Sequence, residues 1–318
     1  MGFDLRIPFR RAAEDLATPL GVHAGLWVAD WSPASARAAI EGSAAAGYQL
    51  IEIPVPDATD PGAASAAETV ALLEAAGLDA VVSLALDPAS DINVDVSAPE
   101  GAAVSARGEQ RLTRAVEFAA AIGAGYVGGV TYSAMTKYAH PATPASRENA
   151  LEVLTRVART ARAADVRIGL EYVNRYESNL LNTAAQTTAF LGELDARGVD
   201  NALLHVDTYH ANSEELSLAD AVQDAGGRLG YLHLSENHRG VIGTGSLDWD
   251  GLFAALARGG FRGPLTVESF SPAVVSPATR DGIGAWRTLW SDPAAVAERS
   301  IDFLRARLAA SAPHTISI

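Results

Sequence analysis

The sequence predicts a single (β/α)8 barrel, and three observations lead there. Short β-branched runs alternate with Ala-, Leu-, Arg- and Glu-rich amphipathic stretches from about residue 20 to the end of the 318-residue chain. Eight such runs can be placed along it, which suits a barrel of about 250 residues plus insertions. Glycine stands just before several of them, as in Ala46–Gly47–Tyr48, Ala76–Gly77–Leu78 and Gly123–Ala124–Gly125–Tyr126, which is how a helix end is punctuated.

In chain order the candidate strands are 21–26, 50–53, 80–84, 126–130, 166–170, 202–206, 229–232 and 264–267. Amphipathic stretches at 35–46, 62–76, 108–122, 146–164, 184–196 and 216–224 supply crossover helices. The acidic, Pro- and Ser-containing stretch 87–101 reads as a long loop after the third strand. A second long loop follows Glu268, before a last helix at about 293–308. No linker or low-complexity block divides the chain, so residues 1–20 are read as an N-terminal extension and 21–318 as one barrel domain. An open doubly wound sheet is the structural alternative, weakened by the lack of a G-x-G-x-x-G turn after the first strand.

Composition excludes several classes of function. The chain is 48% hydrophobic and 19% charged, with a net charge of −14, so the basic footprint of a nucleic-acid or anionic-membrane binder is missing. It has no cysteine, which rules out disulfides, thiolate nucleophiles and cysteine-ligated metals. Its single lysine, Lys137, is the one residue that could form a Schiff base. No apolar run approaches the roughly 20 residues of a membrane helix. The N-terminus lacks the apolar core of a signal peptide, so a cytoplasmic location is the expectation.

Barrel enzymes place their chemistry at the C-terminal ends of the strands. Four consecutive candidate strands end there in metal-competent side chains: RIGLE in Glu171, LLHVD in Asp207, GYLH in His233 and PLTVE in Glu268. Any one strand-end carboxylate is more simply a solvated group or a helix N-cap. Four in succession on one rim point to a shared metal. Three carboxylates and one imidazole suit Mn²⁺ first, with Co²⁺ or Mg²⁺ as alternatives, in an octahedral site with positions left for substrate oxygens.

The loops beyond these strands add Glu177, His210, Glu236, His238 and Arg239. Loop salt-bridging is the simpler account of Glu236 and His238, and competes evenly with ligand binding for the other three. His205, two residues before Asp207, points the same way and is expected to be a hydrogen-bonded core histidine. Trp27, Trp31 and Met135 could wall a sugar pocket or simply pack.

The segments LEYVNRYESNLLNT, HVDTYHANSEE, HLSENHRGVIGTGSLDW and VESFS resemble the ketose 3-epimerases, that is the D-tagatose, D-allulose (D-psicose) and L-ribulose 3-epimerases of the xylose-isomerase-like barrels. HAGLW at 23–27 and VTYSAM at 130–135 extend the resemblance from about Val22 to the final helix. It implies a metal held by Glu171, Asp207, His233 and Glu268, with Glu171 and Glu268 also the two acid/base carboxylates. It places Glu177, His210 and Arg239 on O1 and O2 of the ketose, and Trp27 and Trp31 in the sugar pocket. Met135 departs from members that carry Trp there, which bears on preference at C4 to C6. The implied reaction inverts C3 of a free ketose through a cis-enediolate, in a homodimer or homotetramer.

Other activities remain open on the same residues. An aldose–ketose isomerase needs the same metal and bases, and a polyol-ketone dehydratase would expel water instead. An abasic-site endonuclease would use more metal ligands and a basic groove. A non-catalytic sugar binder would have little use for the Glu171/Glu268 pair.

Overall fold

The computed structural model describes residues 6–9, 18–57 and 60–311. Eight parallel strands close into a barrel in the order β1 to β8. They are β1 Leu20–His23, β2 Leu50–Pro54, β3 Asp79–Ser83, β4 Tyr126–Gly128, β5 Arg167–Glu171, β6 Ala202–Asp207, β7 Leu229–Leu234 and β8 Leu265–Val267. Around them run α1 Pro33–Ala46, α2 Ala66–Ala76, α3 Gly101–Ile122, α4 Pro144–Ala163, α5 Ala184–Ala196, α6 Thr208–Glu214, α7 Leu218–Ala225, α8 Trp249–Arg258, α9 Pro277–Gly282 and α10 Pro293–Ser311. No helix among the described residues is long and apolar enough to cross a membrane.

Local chemistry explains most helix boundaries. Ser32, Ser65, Thr143 and Thr183 each cap a helix by accepting a backbone N–H, and Ser65 with Glu68 completes a capping box. Gly47, Gly77 and Gly123 end α1, α2 and α3 in the left-handed conformation, as the punctuation before the strands predicts.

Several boundaries differ from the sequence reading, three of them for a visible local reason or consequence. The first strand stops at His23, because the His23 Nδ1 accepts the Gly25 N–H and turns 24–26 into a single 3-10 turn. α3 begins at Gly101 rather than near residue 108. Gly108 lies inside that helix, where a Cβ would stand 2.3 Å from the Ser90 carbonyl oxygen, so it marks a close approach to the loop and not a helix start. The segment after Asp207, expected as loop, is the short helix α6.

The buried apolar side chains form two groups. The larger lies between sheet and helices, where Ile51, Ile53, Val82 and Leu204 meet Ile40, Leu73, Leu112 and Leu154. The smaller fills the barrel itself with Leu50, Val81, Tyr126, Leu203 and Tyr231. Tyr126 and Tyr231 stack there at 4.8 Å, an arrangement worth about 1 kcal/mol beyond area burial. Ile7 and Phe9 pack against this inner group, so the described part of the N-terminal extension closes the barrel floor. Leu20, counted with the extension, is the first residue of β1. Residues 1–5 and 10–17 of the extension lie outside the described residues.

Candidate active site

Period-2 alternation carries the inner face of each strand from apolar residues at the floor to polar ones at the rim. In β5 it brings Glu171 to the rim, in β6 His205 and then Asp207, and in β7 Tyr231 and then His233. Parallel register sets these side chains level, with Glu171 paired to His205 and Asp207 to His233. Glu268 follows β8 directly, and its N–H donates to the Leu234 carbonyl.

The four candidate ligands converge. His233 Nδ1 lies 3.3 Å from Glu171 Oε1 and 3.5 Å from Glu268 Oε1. Single donor atoms of Asp207, His233 and Glu268 all lie within 4.8 Å of one another. All four residues are buried, with Asp207 at 0% and Glu268 at 7% exposure. Asp207 does two things at once: Oδ1 accepts the Tyr209 N–H at 2.8 Å and caps α6, while Oδ2 faces the cluster. The bland account of a strand-end aspartate as an N-cap therefore coexists with a ligand role.

Electrostatics reflect crowding of like charge in a dry site. Burial pushes the Asp207 carboxyl up to about 6, with Arg239 opposing and Glu268 reinforcing that shift. Burial likewise raises Glu171, against the pull of His233. For His233 burial favours the neutral ring, but Glu52, Glu268 and Glu171 outweigh it and hold the imidazole well above its ordinary value. Hard oxygen donors with one imidazole, closely spaced and short of positive charge, fit a divalent cation.

The predicted substrate-binding polar residues also meet. Arg239 Nη1 donates to Asp207 Oδ2 at 2.9 Å and pairs with Glu268 Oε2, while Nη2 lies 3.1 Å from His210 Nε2. His210 Nε2 is 3.8 Å from Glu177 Oε2, an oxygen with no hydrogen-bond partner among the described residues. Asn174 joins the set, its Nδ2 reaching Glu177 Oε1 at 3.1 Å and its N–H donating to His210 Nδ1.

The apolar candidates separate. Trp31 lines a cavity of about 280 Å³ at the rim, beside His23, Val28, Phe270 and Val275. Trp27 does not line it: its ring covers Gly42 of α1. Met135 packs against the outer core, and the next residue, Thr136, donates its N–H to the Glu177 carbonyl. A larger cavity, about 1170 Å³, opens at the other end of the barrel, among Arg6, Arg167, Gly230 and Pro264 and away from the carboxylates.

The hydrogen-bonded core histidine expected at 205 is corrected, whereas Glu236 and His238 make local loop contacts, the simpler account favoured for them. His205 makes no hydrogen bond among the described residues; it packs edge-on against Tyr231 at 4.8 Å and His233 at 4.2 Å. Glu236 is fully buried as a loop staple, accepting from the Asn237 and Gly243 N–H groups and Trp249 Nε1. His238 accepts the Gly240 N–H within the same loop. Lys137 is exposed over the Tyr176 ring, outside the cluster. Besides Asn174, two further residues went unforeseen: Phe270, which packs edge-on to His23 at 5.3 Å, and Glu52, whose Oε2 accepts from His233 Nε2 at 2.7 Å. The signal for Glu52 was present, as a glutamate at an inward position of the otherwise apolar run LIEIP.

Residues 40–307 match the family described as xylose isomerase-like TIM barrel. The chain is 41% identical over 287 residues to L-ribulose 3-epimerase of Methylomonas sp. (strain DH-1), covering 90% of this chain and 96% of that one. It is 38% identical over 291 residues to ketose 3-epimerase of Arthrobacter globiformis, covering 92% and 97%. The chain belongs to the ketose 3-epimerases of the xylose isomerase-like barrels. Members of this family are isomerases. A crystal structure of D-allulose 3-epimerase from Methylomonas sp. superposes with a TM-score of 0.86 at 40% identity, over 95% of this chain and all of that one. The same epimerase has been crystallised with D-allulose.

Proposed function

We propose that this protein inverts C3 of a free ketose, with Glu171 and Glu268 exchanging the C3 proton. One observation supports this above the others: two buried carboxylates, from strands three apart around the rim, approach the same imidazole nitrogen at 3.3 and 3.5 Å. A ketose seated between them would offer one face of C3 to each. One carboxylate removes the proton and the other returns it to the opposite face, so the pair exchanges roles when the reaction reverses. Glu171, Asp207, His233 and Glu268 would hold a divalent ion, Mn²⁺ by donor chemistry, which when bound supplies the Lewis acid that makes the C3 proton acidic.

Arg239, His210 and Glu177 would orient the C1–C2 end of the ketose, since they adjoin Asp207 and Glu268 on one side of the cluster. The cavity lined by Trp31 and Phe270 would take the far end of the sugar. The names of the relatives suggest the D-allulose/D-fructose and L-ribulose/L-xylulose pairs as substrates.

The test strips the protein with chelator, restores Mn²⁺, Co²⁺ or Mg²⁺, and incubates it with D-fructose, D-tagatose and L-ribulose in D₂O. Metal-dependent appearance of the C3 epimer, with deuterium at C3, is the expected result. Deuterium at C1 with an aldose product would assign an aldose–ketose isomerase instead.

A further inference from the structure

Glu52 occupies the centre of β2 and points into the barrel at 1% exposure. A carboxylate so deep in a protein is costly unless its partners require it. Its partners are specific. Oε2 accepts from His233 Nε2 at 2.7 Å and from the Tyr231 hydroxyl at 2.7 Å. The Tyr231 oxygen is in turn 2.5 Å from Thr266 Oγ1. Oε1 lies 3.9 Å from His23 Nε2.

The bond to Glu52 fixes two properties of His233. It places the proton on Nε2, because a carboxylate can only accept there. It also stops the ring from turning over, so that Nδ1 stays directed at Glu171 Oε1 and Glu268 Oε1. The imidazole stands between Glu52 and the other carboxylates, which makes Glu52 a partner of the ligand and not a further ligand. We infer that Glu52 is a positioning residue for the metal centre, locking the tautomer and the orientation in which His233 offers Nδ1 to the ion. The inference rests on Glu171, Asp207, His233 and Glu268 holding that ion. Such partners of a liganding histidine typically contribute roughly 10- to 100-fold in metal affinity.

The experiment titrates the metal-stripped full-length protein with Mn²⁺ by calorimetry. Glu52→Gln preserves shape but replaces the charged, acceptor-only carboxylate with an amide that can also donate, and its Mn²⁺ affinity is expected to fall roughly 10- to 100-fold while circular dichroism stays that of the wild type. Tyr231→Phe removes the other donor to Glu52 without touching His233 and should weaken the metal far less. Equal Mn²⁺ affinity in Glu52→Gln and wild type would overturn the role of Glu52 alone. A wild-type protein that binds no Mn²⁺ would overturn the four-ligand site and this inference with it. Nitrogen-15 histidine spectra of the Mg²⁺-loaded wild type give an independent readout should Glu52→Gln fail to fold. An Nε2 proton shifted downfield and protected from solvent exchange, as a bond to a buried carboxylate requires, supports the inference, and a freely exchanging Nε2 proton or a proton on Nδ1 defeats it.

Discussion

Arg239 donates through Nη1 to Asp207 Oδ2 at 2.9 Å, and it does so from a left-handed backbone position with φ of 61°. A non-glycine residue persists there only when its surroundings over-determine it. Here they do: the guanidinium lies 4.0 Å over the Tyr209 ring and pairs with Glu268, and the Arg239 carbonyl accepts from Phe270 N–H and Ser269 Oγ.

Arg239→Ala should therefore damage substrate holding first. Loss of a hydrogen bond from a charged group costs about 1.5–3 kcal/mol, so kcat/KM should fall about 10- to 100-fold, mostly through KM. Arg239→Lys should not restore it, because a point charge cannot span His210, Asp207 and Glu268 as the planar fork does. Steady-state kinetics check this, and a loss confined to kcat would contradict it.

Glu171→Gln and Glu268→Gln should each lower kcat by about 10² to 10⁴, the range for removal of a general acid or base. With metal still bound, each variant should stop inverting C3, and the carboxylate left in place should exchange deuterium only for the epimer whose C3 proton faces it. Near-wild-type turnover in either would defeat the two-carboxylate scheme.

The raised carboxyl of Asp207, at about 6, gives a pH dependence of known sign. A folded-state value above the ordinary one means that the native protein holds its proton more tightly than the unfolded chain. Asp207 therefore lowers the stability of the metal-free protein as pH rises from about 4 to about 6, and the loss is complete above that. Asp207→Asn, without the charge, should be the more stable metal-free protein at pH 7, and the difference should vanish near pH 4. Metal binding needs the carboxylate, so wild-type affinity should drop by roughly tenfold per pH unit below about 6. Thermal melts and metal titrations across this range measure both effects.

The barrel interior offers a stability test remote from the rim. A Cβ on Gly169 would stand 1.8 Å from the Tyr126 hydroxyl oxygen, so Gly169→Ala should destabilise by about 1–3 kcal/mol or more through overpacking. The Tyr126 hydroxyl has no hydrogen-bond partner among the described residues. Tyr126→Phe should leave stability unchanged or raise it by up to about 1 kcal/mol, since it removes an unsatisfied buried polar atom. Denaturant melts of the two variants, read together, distinguish filled space from unmet polarity.

The residues themselves carried the alternation of strands and helices, the glycine helix ends, and Glu171, Asp207, His233 and Glu268 at successive strand ends. These are legible because they are local: period-2 alternation and capping chemistry act within a few residues of the chain. Only tertiary structure decided what stands opposite what. Glu52 meets His233 across 181 residues, because closing the barrel brings β2 and β7 together through its interior. The same closure lets Ile7 seal the floor beneath Tyr126 and seats Phe270 against His23. The Trp27 ring lies against Gly42 of α1, and nothing within that stretch of sequence states which neighbour will fill the space. Residue type and spacing fix which side of a strand a group occupies, while the partner across the barrel follows from the packing of all eight strands at once.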